Sequence, residues 1–113
     1  MTINMENIPQ NGSLSDYQDY VLKVLQQRGF SEQDIKSRLA LLVEEVGELA
    51  KAIRKNNNER CDSESEIYYV GLELADVFFV LISIANTLQI NLSESFVKKE
   101  QINNSRTWSS VNL

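Results

Sequence analysis

An all-α fold, a four-helix-bundle-like domain that oligomerises through its central helices, is predicted by three features of the sequence. Apolar residues recur at three- and four-residue intervals through most of the chain, the spacing that puts side chains on one face of a helix. Serine and asparagine caps, two of them followed three residues later by glutamate, punctuate that pattern. Residues 69–85 are apolar around the whole circumference at about 100° per residue, the mark of a helix buried on all sides. With 113 residues the chain forms one domain on the small side for a single core, so a second copy is expected to add buried area.

Residues 1–12, polar apart from a few side chains and containing Pro9 and Gly12, have little to bury and read as a tail. They lack a basic region followed by an apolar one, so no signal peptide is expected. The domain proper is 13–108, and 109–113 reads as a second tail. Ser13 or Ser15 caps a first helix whose inward residues are Leu14, Tyr17, Val21, Val24 and Leu25, and Gly29 stops it. Gln18, between Tyr17 and Tyr20, either lines a pocket or spans a core edge. Residues 31–34 lead into a second helix reaching about Lys55, with an apolar stripe of Leu39, Leu42, Val43, Val46, Leu49, Ala50 and Ile53. The polar stretch 56–62 is short enough to join antiparallel neighbours, and Cys61 within it reads as an incidental exposed thiol. Ser63 and Glu66 have capping-box spacing and open the third helix, which runs to about Leu88. Asn91 and Glu94 repeat that spacing and open a shorter fourth helix with Leu92, Phe96 and Ile102 inward.

Charge and residue usage exclude whole classes of function. A net charge of −5 and a pI near 4.7 leave no basic stripe to replace the counterions of a nucleic acid polymer. A phosphate ligand would need local positive charge or a metal. The single cysteine excludes an intrachain disulfide and a Cys-based zinc site, and suits a reducing cytoplasm. No histidine is present, which removes the usual general base and every Ser-His-Asp or Cys-His arrangement. Catalysis, if present, must therefore run on carboxylates. The longest uninterrupted apolar run, 77–82, is too short to span a bilayer, so a soluble protein is expected.

Two acids interrupt the apolar third helix. Glu73 and Asp76 are three apart and project from one face, in the column that also holds Tyr69, Val80 and Ser83. A buried carboxylate is costly unless a cation or a metal pairs with it or its pKa rises, so positive charge is expected there. On the second helix a column of Leu41, Glu45, Glu48 and Ala52 brackets two more acids with apolar residues, unlike an open solvent face. If that face were solvated, Glu44 and Glu48 would pair with Lys51 or Lys55, each pair worth only about 0.3–0.5 kcal/mol. Side by side, the two helices bring four carboxylates together. Either Lys and Arg of a neighbouring helix or a divalent cation must offset their repulsion. An all-oxygen set suits a hard cation such as Mg²⁺, and the lack of histidine counts against a ferritin-like di-iron site.

At these residues the sequence resembles the all-α nucleoside triphosphate pyrophosphohydrolases, the MazG-like proteins, whose relatives include dimeric dUTPases and phosphoribosyl-ATP pyrophosphohydrolases. The family's Glu-Glu-x-x-Glu motif reads Glu44-Glu45-Val46-Gly47-Glu48 here, and its Glu-x-x-Asp motif reads Glu73-Leu74-Ala75-Asp76. The likeness runs on through Asn86 and residues 88–92 to Lys99, Asn103 and Arg106, covering 14–108. It implies a homodimer or homotetramer, a dimer of dimers, that binds Mg²⁺, with Mn²⁺ a possible substitute, through Glu45, Glu48, Glu73 and Asp76. It implies cleavage of a nucleoside triphosphate to the monophosphate and pyrophosphate. Glu44 is then a candidate to orient or deprotonate the attacking water, and otherwise a ligand or a surface acid. Lys99 and Arg106 would neutralise the leaving pyrophosphate, unless they are an ordinary basic helix end. Asn103 would hydrogen-bond a phosphate or sugar oxygen. Val80 stands a turn after Asp76, where a ring could have stacked on a base, which leaves Trp108, Tyr17, Gln18 and Asn86 as candidates for base contact. By analogy with the family, the role would be house-cleaning of unwanted deoxynucleotides or non-standard nucleotides.

Two other functions fit the same residues. One is a dUTPase-like or phosphoribosyl-ATP-specific enzyme, separated by its substrate. The other is a non-catalytic helical, oligomeric nucleotide-binding or interaction module whose buried acids pair with Lys or Arg, separated by its indifference to Mg²⁺.

Overall fold

The computed structural model describes residues 7–56 and 64–106. Cys61, Ser63 and Trp108 lie outside the described residues, and the expectations placed on them go no further. The described chain forms four helices, α1 (Leu14–Gln27), α2 (Ile35–Asn56), α3 (Glu64–Thr87) and α4 (Leu92–Ser105), with no strand among the described residues.

Local chemistry sets the helix ends. Ser13 caps α1 through a reciprocal box: its Oγ accepts from the Asp16 N–H at 3.1 Å, and the Asp16 carboxylate accepts from the Ser13 N–H at 2.9 Å. Gly29 stops the helix with φ +81°, and the Phe30 N–H returns to the Leu25 carbonyl at 2.8 Å, closing a Schellman turn. Asp34 opens α2 by accepting the Ser37 N–H at 2.8 Å, and this bond holds the Asp34 carboxyl below its ordinary value. Asn91 opens α4 by accepting the Glu94 N–H at 3.0 Å. Between α3 and α4 a second Schellman turn forms, with Ile90 N–H on the Ala85 carbonyl at 2.8 Å, but here the left-handed position is Gln89 at φ 56°.

The long helices α2 and α3 pack along one another, and α1 lies on α3. Their sense is antiparallel: Glu45 of α2 meets Glu73 and Asp76 of α3, whereas Arg38, earlier in α2, meets Ser83 and Thr87, later in α3. The core sits where α1 crosses the C-terminal half of α3 and consists of Val21, Val24, Val80, Ile82 and Ala85. Tyr17 packs edge-on against Phe78 at 5.6 Å, and Arg28 lies over the Phe79 ring at 5.7 Å.

The sequence expectations of burial need correction at three places. In the single chain α3 is not buried on all sides, since Tyr68, Tyr69, Leu72 and Leu74 are exposed. The α2 stripe is only half covered: Leu39, Val43, Val46 and Ile53 face outward, with Val43 65 % exposed. On α4, Phe96 and Ile102 are exposed rather than inward, and of the three expected inward residues Leu92 alone is partly covered. The physical reason is common to all three. Periodicity shows that a face is apolar, not which chain covers it. By length and composition 66–87 could cross a membrane, but Glu73 and Asp76 lie within that stretch, and charges in hydrocarbon are costly.

Gln18 ties three elements together. Its Nε2 donates to the Asn86 Oδ1 at 2.9 Å and to the Ile90 carbonyl at 2.8 Å, and its Oε1 accepts from the Leu92 N–H at 3.0 Å. Asn86 Nδ2 donates back to the Gln18 carbonyl at 2.9 Å. Of the two readings open for Gln18, it spans the edge of the core. Gln18→Leu is expected to cost about 1–3 kcal/mol in urea denaturation because it strands partly buried partners, and the double variant with Asn86→Leu should regain part of that loss.

Candidate active site

The acid motifs converge as the antiparallel pairing requires. Carboxylate oxygens of Glu45, Glu73 and Asp76 all lie within 4.8 Å of one another. Glu45 and Glu73 are half-buried in the α2–α3 seam, and Asp76 is at its exposed edge. Among the described residues no Lys or Arg forms an ion pair with these acids or with Glu48, and none of the influences acting on Glu45 comes from a cation. Desolvation pushes the Glu45 carboxyl up from its ordinary 4.5, and the charges of Asp76, Glu73, Glu48 and Glu44 push it further. A cluster of oxygens with uncompensated negative charge is the donor set that a hard divalent cation takes, so these acids could hold a metal ion.

The remaining site candidates are arranged less tightly. Glu48 is exposed, and its oxygens do not join the three that converge, although its charge reaches Glu45. Glu44 is exposed beside Glu45 and acts on it in the same way. Lys99 lies on the α4 surface, lining an open groove with Glu94, Ser95, Lys98 and Ile102. Asn103 donates to the Glu100 carboxylate at 2.8 Å, and Arg106 caps α4 through its N–H on the Asn103 carbonyl. The described hydrogen bonds do not bring these α4 groups to the acids. Asn86 is held by Gln18, with its amide oxygen and nitrogen both engaged. A cleft of about 530 Å³ between residues 7–12 and α1 includes none of the acids.

One residue stands out that the sequence reading did not single out. Arg38, 4 % exposed, donates from Nη2 to the Phe30 carbonyl at 2.8 Å and from Nε to the Gln33 carbonyl at 3.3 Å. The signal for it was its place two helical turns before Glu45, on the same face of α2.

Protonation of the cluster couples to stability. The folded-state pKa of Glu45 lies above its unfolded value, so its proton is held more tightly in the folded protein. The stability this supplies is complete below 4.5 and is lost as pH rises through the folded pKa. Asp34 has the opposite sign, but its contribution is lost only as pH falls below its ordinary 3.8. Metal-free protein is therefore expected to melt progressively lower as pH is raised above 4.5, and saturating Mg²⁺ should flatten that slope. Thermal melts across pH with chelator or Mg²⁺ check this, and a slope unaffected by the cation would count against the metal assignment.

Fold and site together define an all-α protein with an acidic, metal-competent seam between two antiparallel helices. The model of the MazG nucleotide pyrophosphohydrolase domain matches residues 33–104. The chain belongs to that family and is a nucleotide pyrophosphohydrolase, a hydrolase acting on nucleoside triphosphates. Among solved structures it is similar to the Bacillus-conserved MazG protein, a nucleotide pyrophosphohydrolase, with a TM-score of 0.67 and 26 % identity over 92 % of this chain and 100 % of that one. No curated protein matches the chain.

Proposed function

We propose that the protein hydrolyses deoxynucleoside or non-standard nucleoside triphosphates to the monophosphate and pyrophosphate in a Mg²⁺-dependent reaction, as a cytoplasmic house-cleaning enzyme. The observation that carries this reading is the convergence of Glu45, Glu73 and Asp76 without a basic partner among the described residues. Glu48 completes the proposed ligand set from the same helix as Glu45. When bound, the cation neutralises triphosphate charge and makes water a better nucleophile. The chain's own groups do the rest. Glu44 accepts the proton of the attacking water, the new bond forms at the α-phosphorus, and the bond to the bridging oxygen breaks to release pyrophosphate. Lys99, Asn103 and Arg106 of α4 stabilise the leaving group if α4 of this chain or of a second copy reaches the seam.

Assembly is part of the proposal. Among the described residues five apolar side chains are buried, a small core for a chain of this length, while α2 exposes Leu39, Val43 and Val46 and α3 exposes Leu72 and Leu74. A second copy covering those side chains makes a homodimer, and two such dimers make the tetramer.

The reaction is tested by turnover in ¹⁸O-water with the products resolved by mass. Label in the monophosphate supports attack at the α-phosphorus. Label in pyrophosphate contradicts it.

A further inference from the structure

The α2–α3 seam continues beyond the acids. Arg38 precedes Glu45, and Ser83 follows Asp76, by the same two helical turns, so both stand in line with the acids about 10 Å farther along. There α1 closes over the seam and leaves a cavity of about 210 Å³, walled by Leu22 and Leu25 of α1 and by Arg38, Ser83 and Thr87, with Ser31 and the Gln18-bound Asn86 completing the lining. The volume is below the roughly 300–1,000 Å³ of pockets that take a whole drug-sized ligand. It suits one flat ring system whose remaining groups lie outside.

The wall has a distinct hydrogen-bonding character. Arg38 spends Nε and one Nη2 hydrogen on the Gln33 and Phe30 carbonyls, while Nη1 has no partner among the described residues, and no carboxylate pairs with the guanidinium. That leaves an end-on fork of donors on a side chain that is otherwise buried. The Ser83 hydroxyl donates to the Val80 carbonyl at 2.6 Å and the Thr87 hydroxyl to the Ser83 carbonyl at 2.9 Å, so both oxygens remain acceptors. A donor fork, two acceptor oxygens and two leucines match a heterocycle with adjacent acceptors on one edge.

We propose that this cavity is the base subsite and that Arg38 selects a 6-oxopurine by donating to its O6 and N7. The proposal rests on the pyrophosphohydrolase reading of the acid cluster, whose distance along the seam suits phosphates at one end and a base at the other. Arginine pairs with that edge in two parallel bonds. On the corresponding edge adenine and cytosine present an amino donor and uracil a lone carbonyl; the O2 and N3 acceptors on cytosine's other edge are the competing fit, which the CMP arm of the test decides. Leu22 and Leu25 supply contact for the ring faces.

The test is equilibrium binding of GMP, IMP, AMP, CMP and UMP without metal to the full-length protein and to Arg38→Met, Arg38→Lys and Asp76→Asn variants. GMP and IMP are expected to bind about tenfold or more tighter than AMP and CMP. Both Arg38 variants should bring that ratio to within about twofold, and Asp76→Asn should keep it. Equal affinities in the unmodified protein, or a preference that survives Arg38→Lys, overturn the proposal. Because Arg38 also anchors the α1–α2 turn, an unfolded variant leaves the unmodified protein's ratio to decide. A base preference with no turnover of any triphosphate overturns the hydrolase reading instead and leaves the subsite standing.

Discussion

Glu45→Gln is expected to lower Mg²⁺-dependent pyrophosphate release by about 10³-fold or more, and at the same time to raise the melting temperature of the metal-free protein. The two effects have one origin. Glu45 is half-buried among Asp76, Glu73, Glu48 and Glu44, and burial and those charges together disfavour its ionised form. Removing its charge relieves the repulsion and, at the same stroke, removes a carboxylate from the group proposed to hold the cation. A structural ion pair would behave in the opposite way, because deleting one partner of a buried pair strands the other and lowers stability. A coupled pyrophosphate assay and melts with and without Mg²⁺ read both effects. A variant that is inactive and also less stable in chelator would favour the structural role.

Val43→Lys is the second large effect. Val43 is 65 % exposed at the middle of the outward α2 stripe, flanked by Leu39 and Val46. If a second copy covers that stripe, a lysine there is buried without a partner and should weaken self-association by about 10²-fold. Light scattering coupled to size exclusion should show the mass of two or four chains for the unmodified protein and a shift toward one for the variant. An unmodified protein that stays monomeric would contradict the assembly proposal.

The local structure was legible in the sequence because capping and turn chemistry act between near neighbours. Ser13, Gly29 and Asn91 each terminate or open a helix through bonds to residues a few positions away. The convergence of Glu45 with Glu73 and Asp76 followed from helical spacing and a short connection. Burial was less legible. The α3 run reads as surrounded, yet Tyr68, Tyr69, Leu72 and Leu74 are exposed, because hydrophobicity carries no record of what covers a face. The Gln18–Asn86 pairing joins residues far apart in sequence, and nothing local to either reveals the partner. Arg38 was hidden for the same reason: its value lies in the turn carbonyls and the cavity that folding brings around it.

The most direct test is incubation of purified protein with each common NTP and dNTP, with and without Mg²⁺, resolving monophosphate, diphosphate, phosphate and pyrophosphate. Monophosphate with equimolar pyrophosphate, formed only with the cation and lost in Asp76→Asn, is the predicted result. Diphosphate with inorganic phosphate, or turnover that persists in chelator, would contradict it.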